Sequence, residues 1–354
     1  MSFLRGRARG ILRRERSHGV DDLLGPYRGS HVRLEASSRC QLKCPLCPTA
    51  AGTARNGSVG WGVLALEDFV RFLARNPAVR HVELSNYGEI FLNPQLVAIL
   101  AHAQAIGVAV EAYNGANLND AREEQLEALV RYGLRRLVVS IDGASQETYG
   151  VYRSGGTLAG VLENVRRLNE WKVRLGSTRP QLFWQFVIFG HNEHELPAAR
   201  RLAAELGMGF RAKLSWNGRY SPVRDPEFVR RETGLEAFTH AEFAKKTGGR
   251  YFLGCRDLWA GPQVNWDGRL LGCCVNFWGD FGNAFAQDLE TCTGGAAYQN
   301  AKRVLLGLEE PRPGLPCLDC GTYLDDVRNR PLTRADILEP DHLARVKDEG
   351  EVNR

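Results

Sequence analysis

The chain has 354 residues, of which 44% are hydrophobic and 25% charged, with a net charge of +5 and nine cysteines. A chain of this size buries a core without disulfide bonds, so we expect a soluble, cytoplasmic protein with reduced thiols and one large plus one smaller domain. The sequence has no apolar run long enough to cross a membrane, and its N-terminus lacks the apolar segment of a secretory signal.

The first segment, residues 1–29, is basic. Its charge comes from six arginines: Arg5, Arg7, Arg9, Arg13, Arg14 and Arg16. The pattern is typical of a solvated basic helix, and contact with an anionic partner or membrane surface is the alternative. Because no aromatic residues alternate with these arginines, we expect no nucleic-acid partner.

Residues 30–216 alternate short apolar runs with amphipathic stretches, which predicts a core of alternating strands and helices. The predicted strands are Val32–Ala36, His81–Ser85, Val108–Tyr113, Arg136–Ile141, Leu182–Phe189 and Gly209–Ser215. The predicted helices are Leu66–Arg75, Asn93–Ile106, Asp120–Tyr132, Leu158–Leu175 and Glu193–Leu206. This order predicts an α/β fold with a parallel sheet, either open or curled into a partial barrel, whose reactive edge is formed by the carboxyl ends of the strands.

Three cysteines follow the first predicted strand with the spacing C-x3-C-x2-C: Cys40, Cys44 and Cys47. This spacing allows one loop to give three thiolates to a [4Fe–4S] cluster and leaves the fourth iron open to a small molecule. A structural zinc site is the alternative, but it needs a fourth ligand, and no Cys or His lies close by in the sequence.

The rest of the chain is predicted as three segments: a linker over 217–250, a small cysteine-containing domain over 251–330 and a charged tail over 331–354. In the small domain, Trp266-Asp267-Gly268 predicts a hairpin turn, and a helix is predicted over Ala296–Leu308. Four cysteines stand out by their spacing, Cys255 and Cys273 around Gly268, and Cys317 and Cys320 as a C-x2-C pair.

The cysteine triplet, together with short motifs at later strand ends, resembles the radical SAM superfamily over roughly residues 30–325. The resemblance implies a partial (β/α)6 barrel in which the open iron of the [4Fe–4S] cluster binds S-adenosylmethionine (SAM). Reduction of SAM then yields a 5′-deoxyadenosyl radical.

The same resemblance assigns SAM-binding roles to motifs after the strands. The run Asn86-Tyr87-Gly88-Glu89 is similar to the Gly-rich Glu motif that meets the methionine amino group, with Asn86 and Ile90 departing from it. Ser140-Ile141-Asp142-Gly143 is similar to the run near the SAM ribose, and the Arg153 guanidinium is expected to pair with the SAM carboxylate. The implied cofactor-binding residues are Gly88, Glu89, Asn114, Ser140, Asp142, Arg153, Ile188 and Asn192.

The second cysteine group resembles the twitch domain, a shortened SPASM extension of radical SAM enzymes. The resemblance implies one auxiliary [4Fe–4S] cluster held by Cys255, Cys273, Cys317 and Cys320. The alternative is a four-cysteine zinc ribbon, which has compatible spacing.

In its length and its single implied auxiliary cluster, the chain resembles enzymes that act on carbinol carbons in aminoglycoside and oligosaccharide antibiotic biosynthesis. The resemblance implies hydrogen abstraction from a carbohydrate, with epimerisation favoured and two-electron dehydrogenation or modification of a ribosomal peptide as alternatives. Cys274 and Cys292 are candidate hydrogen donors. Lys213 is a candidate base, with Arg153 and Glu35 as further guesses. An external electron donor such as flavodoxin or ferredoxin is the implied partner.

Overall fold

The computed structural model describes residues 20–340 and 342–343. The six arginines of the N-terminal segment and the end of the charged tail lie outside the described residues. Within them, no helix combines the length and hydrophobicity that crossing a membrane requires.

The core is a sheet of six parallel strands whose order in space follows the chain. The strands are β1 (His31–Leu34), β2 (His81–Glu83), β3 (Ala109–Ala116), β4 (Arg136–Ser140), β5 (Gln181–Ile188) and β6 (Gly209–Leu214). Helices connect consecutive strands, as in a partial (β/α)6 barrel. The predicted α/β fold class is confirmed.

Five of the seven barrel helices lie where the sequence predicts them, with ends that differ by a few residues, and two short ones, Thr53–Asn56 and Gln146–Tyr152, were not predicted. They are α1 (Thr53–Asn56), α2 (Leu66–Arg75), α3 (Leu96–Ala105), α4 (Glu123–Arg131), α5 (Gln146–Tyr152), α6 (Leu158–Arg174) and α7 (Leu196–Glu205). Phe69, Phe72 and Leu73 form the buried face of α2. Gly107 and Gly133 follow α3 and α4 with φ of 72° and 67°, a left-handed conformation that glycine adopts without strain.

Successive side chains of β1 point to opposite sides of the sheet. Val32 and Leu34 are fully buried in the main hydrophobic core, whereas Arg33 lines a cavity inside the barrel. Polar residues at the alternate positions of the strands therefore face the barrel interior.

The C-terminal part continues the same sheet. β7 (Gln263–Val264) pairs in parallel with β1, and β8 (Leu270–Gly272) pairs antiparallel with β7 through the hairpin predicted at Asp267-Gly268. The other elements of this part are α10 (Asp257–Ala260), α11 (Leu289–Gly294), α12 (Ala296–Leu305) and α13 (Arg334–Leu338). The loop that carries Cys40 and the hairpin that carries Cys273 are thus anchored to neighbouring strands.

The segment predicted as a linker contains two short helices that the sequence pattern did not predict, α8 (Pro226–Thr233) and α9 (His240–Thr247). The side chains of Asp225 and Thr239 cap their N-termini by accepting hydrogen bonds from Phe228 N and Glu242 N. Two turns of helix are too short for a clear apolar period, which is why the pattern did not predict them.

Candidate active site

The three cysteines of the first motif lie together in the loop that follows β1. Cys44 is buried, and Cys40 and Cys47 are partly buried, in an apolar cluster that includes the rings of Tyr152 and Phe189. These two rings lie 4.6 Å apart between their centroids. The loop therefore presents its thiols on an aromatic wall at the carboxyl edge of the sheet.

Cys40 and Cys44 are in an environment that disfavours the charged form of their thiols. Burial raises the pKa of Cys40 to about 12, with added repulsion from Glu89 and from the Cys44 and Cys47 thiols. Burial also raises the pKa of Cys44, and the nearby Arg153 guanidinium opposes this rise. Thiols in such a site bind as thiolates when a cation compensates their charge, and the irons of a cluster supply it.

A close contact between two loops fixes the position of the cysteine loop. A Cβ on Gly88 would lie 2.2 Å from the Ser37 carbonyl oxygen and 2.5 Å from that of Arg39. The buried Glu35 carboxylate accepts hydrogen bonds from the backbone N–H groups of Tyr87 and Gly88, at 3.0 and 3.2 Å. Glu35 therefore connects the end of β1 to the run after β2, a positioning role that the sequence reasoning missed.

Glu89 makes contacts within the protein. Its carboxylate accepts from the N–H groups of Asn117, at 2.5 Å, and Phe91, at 3.4 Å, and burial raises its pKa to about 7. Asn117 in turn places its side-chain amide 3.7 Å from Cys40 Sγ. In this geometry Glu89 holds the end of β3 beside the cysteine loop, which differs from the predicted contact with the methionine amino group.

Asn114 and Ser140 lie in a polar row at the ends of neighbouring strands. Asn114 donates to Asn86 Oδ1 at 2.9 Å, and Gln185 donates to Ser140 Oγ at 3.3 Å. Gly115 has φ of 127°, and a Cβ there would lie 2.4 Å from Ser140 Oγ. The close approach of β3 and β4 brings these amide and hydroxyl groups together as candidate ligands for SAM.

Asp142 and Arg153 form a buried ion pair directed at the cysteines. Arg153 Nε donates to Asp142 Oδ2 at 2.6 Å, and Arg153 Nη1 lies 3.8 Å from Cys44 Sγ. Asp142 also accepts from Val187 N at 2.6 Å and is fully buried. Asp142 thus orients Arg153, whose guanidinium lies beside the cysteine site.

Two other predicted SAM ligands are largely enclosed by the protein. Asn192 is fully buried, donates to the carbonyl oxygens of Asp142 and Val187 and accepts from Phe189 N. Ile188, the last residue of β5, is also buried. Asn192 therefore joins the ends of β4 and β5, and its predicted contact with SAM finds no open side in this structure.

Four cysteines of the C-terminal part line one apolar cavity: Cys255, Cys273, Cys317 and Cys320. Its other walls include Leu258, Trp278 and Tyr323. Burial raises the pKa of Cys255 and Cys273 well above the ordinary range and that of Cys317 to about 12, and the neighbouring thiols add repulsion. Four thiols around an enclosed apolar space are a donor set that suits a metal group with no open coordination position.

The two candidate hydrogen donors lie in different places. The Cys274 carbonyl oxygen accepts a hydrogen bond from Asn86 Nδ2 at 3.0 Å, and its N–H donates to Asp257 at 2.9 Å. The Cys274 thiol is close enough to Arg33 to raise the pKa of that guanidinium. It therefore lies between the four-cysteine cavity and the barrel interior.

Cys292 is buried in α11, with Sγ 3.8 Å from Gln287 Oε1. Leu289 N, in the first turn of this helix, donates a hydrogen bond of 2.8 Å to the side-chain oxygen of Asn76, which lies before β2. This is the amino edge of the sheet, opposite the Cys40 loop. Cys292 therefore lies away from the Cys40 loop, and its role as a hydrogen donor stays a prediction.

Lys213 is buried on β6, beside Val187 of β5 in the strand register. Its ammonium lies 5.6 Å from the Trp216 ring, which is half exposed. Lys213 and Trp216 thus lie at the end of β6, and the register neighbour of Lys213, Val187, packs in the same apolar cluster as the Cys40 loop.

The chain was compared with known proteins. Residues 34–202 match the family model of the radical SAM superfamily. A tungsten-containing aldehyde ferredoxin oxidoreductase cofactor-modifying protein of Pyrococcus furiosus is 25% identical over 182 residues, 50% of this chain and 49% of that protein. A GTP 3′,8-cyclase of Alkaliphilus metalliredigens is 28% identical over 171 residues, 47% of this chain and 50% of that protein.

Among solved structures, SuiB of Streptococcus suis bound to SAM has a TM-score of 0.60 at 17% identity, covering 83% of this chain and 71% of that one. SuiB bound to its precursor peptide SuiA gives the same TM-score at 14% identity, covering 87% and 73%. These likenesses are of the fold. The chain spans about half the length of the curated relatives that it matches.

Proposed function

Since the chain belongs to the radical SAM superfamily, we propose that it is an enzyme that removes a hydrogen atom from a carbinol C–H bond of a carbohydrate and that its product is an epimer. When bound, the first [4Fe–4S] cluster supplies the electron that converts SAM to a 5′-deoxyadenosyl radical. Cys40, Cys44 and Cys47 would hold this cluster. Asn114, Ser140 and Arg153, at successive strand ends, would orient SAM.

A second, auxiliary [4Fe–4S] cluster is proposed in the cavity of the C-terminal part, in a twitch-type domain over residues 251–330. Cys255, Cys273, Cys317 and Cys320 would hold it. Four thiolates complete its coordination, so it would carry electrons rather than bind substrate. An external reductant such as flavodoxin or ferredoxin is the proposed electron donor, and the cytoplasm is the proposed compartment.

The observation that carries the epimerase proposal is the position of Cys274. Asn86 Nδ2 binds the Cys274 carbonyl oxygen and Asn86 Oδ1 accepts from Asn114, so one amide connects this cysteine to the candidate SAM site. The Cys274 thiol would donate a hydrogen atom to the opposite face of the substrate radical, inverting that carbon. Return of the sulfur radical to the thiol needs one electron and one proton, and the proposed external donor supplies the electron.

The radical reaction is tested with anaerobically reconstituted protein, SAM and dithionite. We expect 5′-deoxyadenosine as a product. Its absence from protein with a full iron content would contradict the proposed enzyme class.

The hydrogen donor is tested with Cys274→Ala, and Cys292→Ala is the matched control because Cys292 is also a buried thiol but lies at the opposite edge of the sheet. We expect Cys274→Ala to form 5′-deoxyadenosine without epimer and Cys292→Ala to retain both activities. In deuterium oxide, wild-type product should carry one deuterium at the inverted carbon, because the thiol hydrogen exchanges with solvent. A full yield of epimer from Cys274→Ala would remove the proposed donor.

Two-electron dehydrogenation of the same carbinol is the alternative. It needs a base beside the reacting carbon, for which Lys213 on β6 is the first candidate and Arg153 and Glu35 are further candidates. A product two hydrogens lighter, with no solvent deuterium, would identify this reaction.

Modification of a ribosomal peptide is the other alternative, supported by the fold likeness to SuiB, which binds a precursor peptide.

A further inference from the structure

A large polar cavity lies inside the barrel, below the candidate SAM site. It has a volume of about 430 Å³ and is lined by residues of β1, β2 and β3, by Arg135 and Arg136 at the start of β4 and by the segment that includes Phe252 and Asp257. Six of its lining side chains are cationic or imidazole groups: His31, Arg33, His81, Arg135, Arg136 and Arg256. The three acidic residues in its wall are Glu83, Glu111 and Asp257.

The acidic side chains of the cavity are already satisfied by the protein. Glu111 forms an ion pair with Arg136 at 2.9 Å. Glu83 accepts from Ser85 N and Tyr113 N at 2.9 and 2.7 Å, and Arg33 stabilises its charge. These carboxylates have little capacity left to bind a cation of a ligand.

Asp257, the third carboxylate of the cavity, also has partners within the protein. It accepts from Cys274 N at 2.9 Å, and its charge stabilises the nearby Arg33 guanidinium. All three carboxylates therefore face donors or cations supplied by the chain.

Two arginines of the cavity have partners other than a carboxylate. Arg135 Nη1 lies 3.2 Å from His81 Nδ1, and Arg256 Nε donates to the carbonyl oxygen of Ile337 at 2.8 Å. Within the described part of the chain, no carboxylate forms an ion pair with either guanidinium. The cavity therefore keeps positive charge that an anionic ligand can neutralise.

From this charge balance we propose that the substrate is an anionic carbohydrate, whose phosphate or carboxylate group binds between Arg135 and Arg256. This rests on the proposed function and narrows its substrate class, because a polycationic aminoglycoside would meet unbalanced arginines. Arg135 and Arg256 determine specificity by holding the end of the substrate away from the reacting carbon.

The test is calorimetric binding to the reconstituted protein without reductant, so that no radical chemistry occurs. The probes are trehalose 6-phosphate for a phosphate, lactobionic acid for a carboxylate, neutral trehalose, and the fully deacetylated chitin disaccharide as a cation. We expect either anion to bind at least tenfold more tightly than trehalose, and the better of the two identifies the group. Equal binding of all four, or tightest binding of the cation, would overturn the proposal.

The matched variants are the double change Arg135→Gln and Arg256→Gln against Arg28→Gln, which removes an exposed arginine paired with Glu290. The double variant should lose at least tenfold in affinity for the anion, and the Arg28 variant should bind like wild type. If the double variant unfolds, Arg135→Lys and Arg256→Lys keep the charge and should retain most of the affinity. Wild-type affinity in a folded double variant contradicts the proposal.

The experiments distinguish a failure of the proposed radical activity from a failure of the proposed anionic substrate. Formation of 5′-deoxyadenosine without preferential anion binding removes the anionic substrate only. Preferential anion binding without 5′-deoxyadenosine formation removes the radical activity only.

Discussion

At the scale of single residues, the site depends on contacts that leave no room for an extra atom. The cysteine loop packs on the backbone at Gly88, and Gly115 packs on Ser140. The order of cysteines along the chain predicts which thiols act together. Contacts of this kind arise only when loops from distant strands meet, so the sequence does not reveal which glycines are needed for space.

We predict that Gly88→Ala disrupts the first cluster site. Its Cβ would lie within 2.5 Å of two backbone oxygens, which cannot move as a flexible side chain does. We expect a loss of about 2 kcal/mol or more in the free energy of unfolding and loss of SAM cleavage. Urea unfolding and the yield of 5′-deoxyadenosine measure the two effects.

Gly150→Ala is the control for this variant. Gly150 lies within α5, and a Cβ there has ordinary contact distances. Alanine favours a helix more than glycine, so this variant should be as stable as wild type or slightly more so. Wild-type stability and activity in Gly88→Ala would show that the loops adjust.

The sequence predicts some residues of the site and misses others. The spacing C-x3-C-x2-C and the polar residues after each strand identify the edge of the sheet, and the structure brings Cys40, Arg153 and Asn114 to that edge. The positioning role of Glu35 and the charge balance of the barrel interior were missed. Both depend on which strands are neighbours, although the charged residues Arg33, on β1, and Glu35, directly after it, gave a signal.

At the scale of elements, the long barrel helices were predicted because each has a clear apolar face, as α2 does with Phe69, Phe72 and Leu73. The short helices α8 and α9 were missed, since eight residues give little periodicity. α9 begins with His240, whose ring lies 5.2 Å from that of Trp216 and 4.8 Å from that of Tyr251. This element therefore closes an aromatic cluster on the open side of the barrel.

We predict that His240 makes stability depend on pH. Burial, with a smaller effect of Lys213, lowers its pKa to about 4 in the fold, below the ordinary 6.5 of the unfolded chain. Between these values the unfolded chain binds more protons, so the free energy of unfolding falls as the pH drops from 6.5 towards 4. The loss at pH 5 is about 2 kcal/mol relative to pH 7.5.

Urea unfolding at both pH values measures this dependence. His240→Phe keeps a ring in the cluster and should remove most of this loss, whereas His194→Gln, a change at an exposed histidine, should behave like wild type. The same acid sensitivity in His240→Phe as in wild type would exclude His240 as its source.

At the scale of the whole molecule, the chain has two groups of thiols on one framework. The parallel sheet was predicted from the alternation of strands and helices, and its closure into a partial barrel was implied by the family resemblance. The pairing of β7 with β1, which joins the C-terminal part to the barrel sheet, was not predicted, because two-residue strands have no detectable pattern.

We predict that the two cysteine groups bind iron independently. Wild-type protein reconstituted without oxygen should hold about eight irons, four per cube. Cys317→Ala with Cys320→Ala should lower this to about four and retain formation of 5′-deoxyadenosine. Iron analysis with zinc analysis on the same samples measures the outcome, and zinc in place of the lost iron would identify a zinc ribbon.

We predict that the barrel does not form a stable protein without the C-terminal part. Removal of residues 251–354 would leave β1 as an open edge and expose core residues such as Val32 and Leu34. We expect this shortened chain to aggregate, as size-exclusion chromatography would show. A monomeric, cooperatively unfolding product would show that the barrel folds by itself.

The hydrogen bonds between β1 and β7 have a further consequence. Arg33 and Leu34 are in register with Gln263 and Val264, so the supports of both thiol sites move as one body. With both clusters loaded, their separation would stay constant during turnover, and electron tunnelling between them would need no hinge motion. The rate of that transfer should then be insensitive to solvent viscosity, unlike that of an enzyme whose redox centres meet by domain rotation.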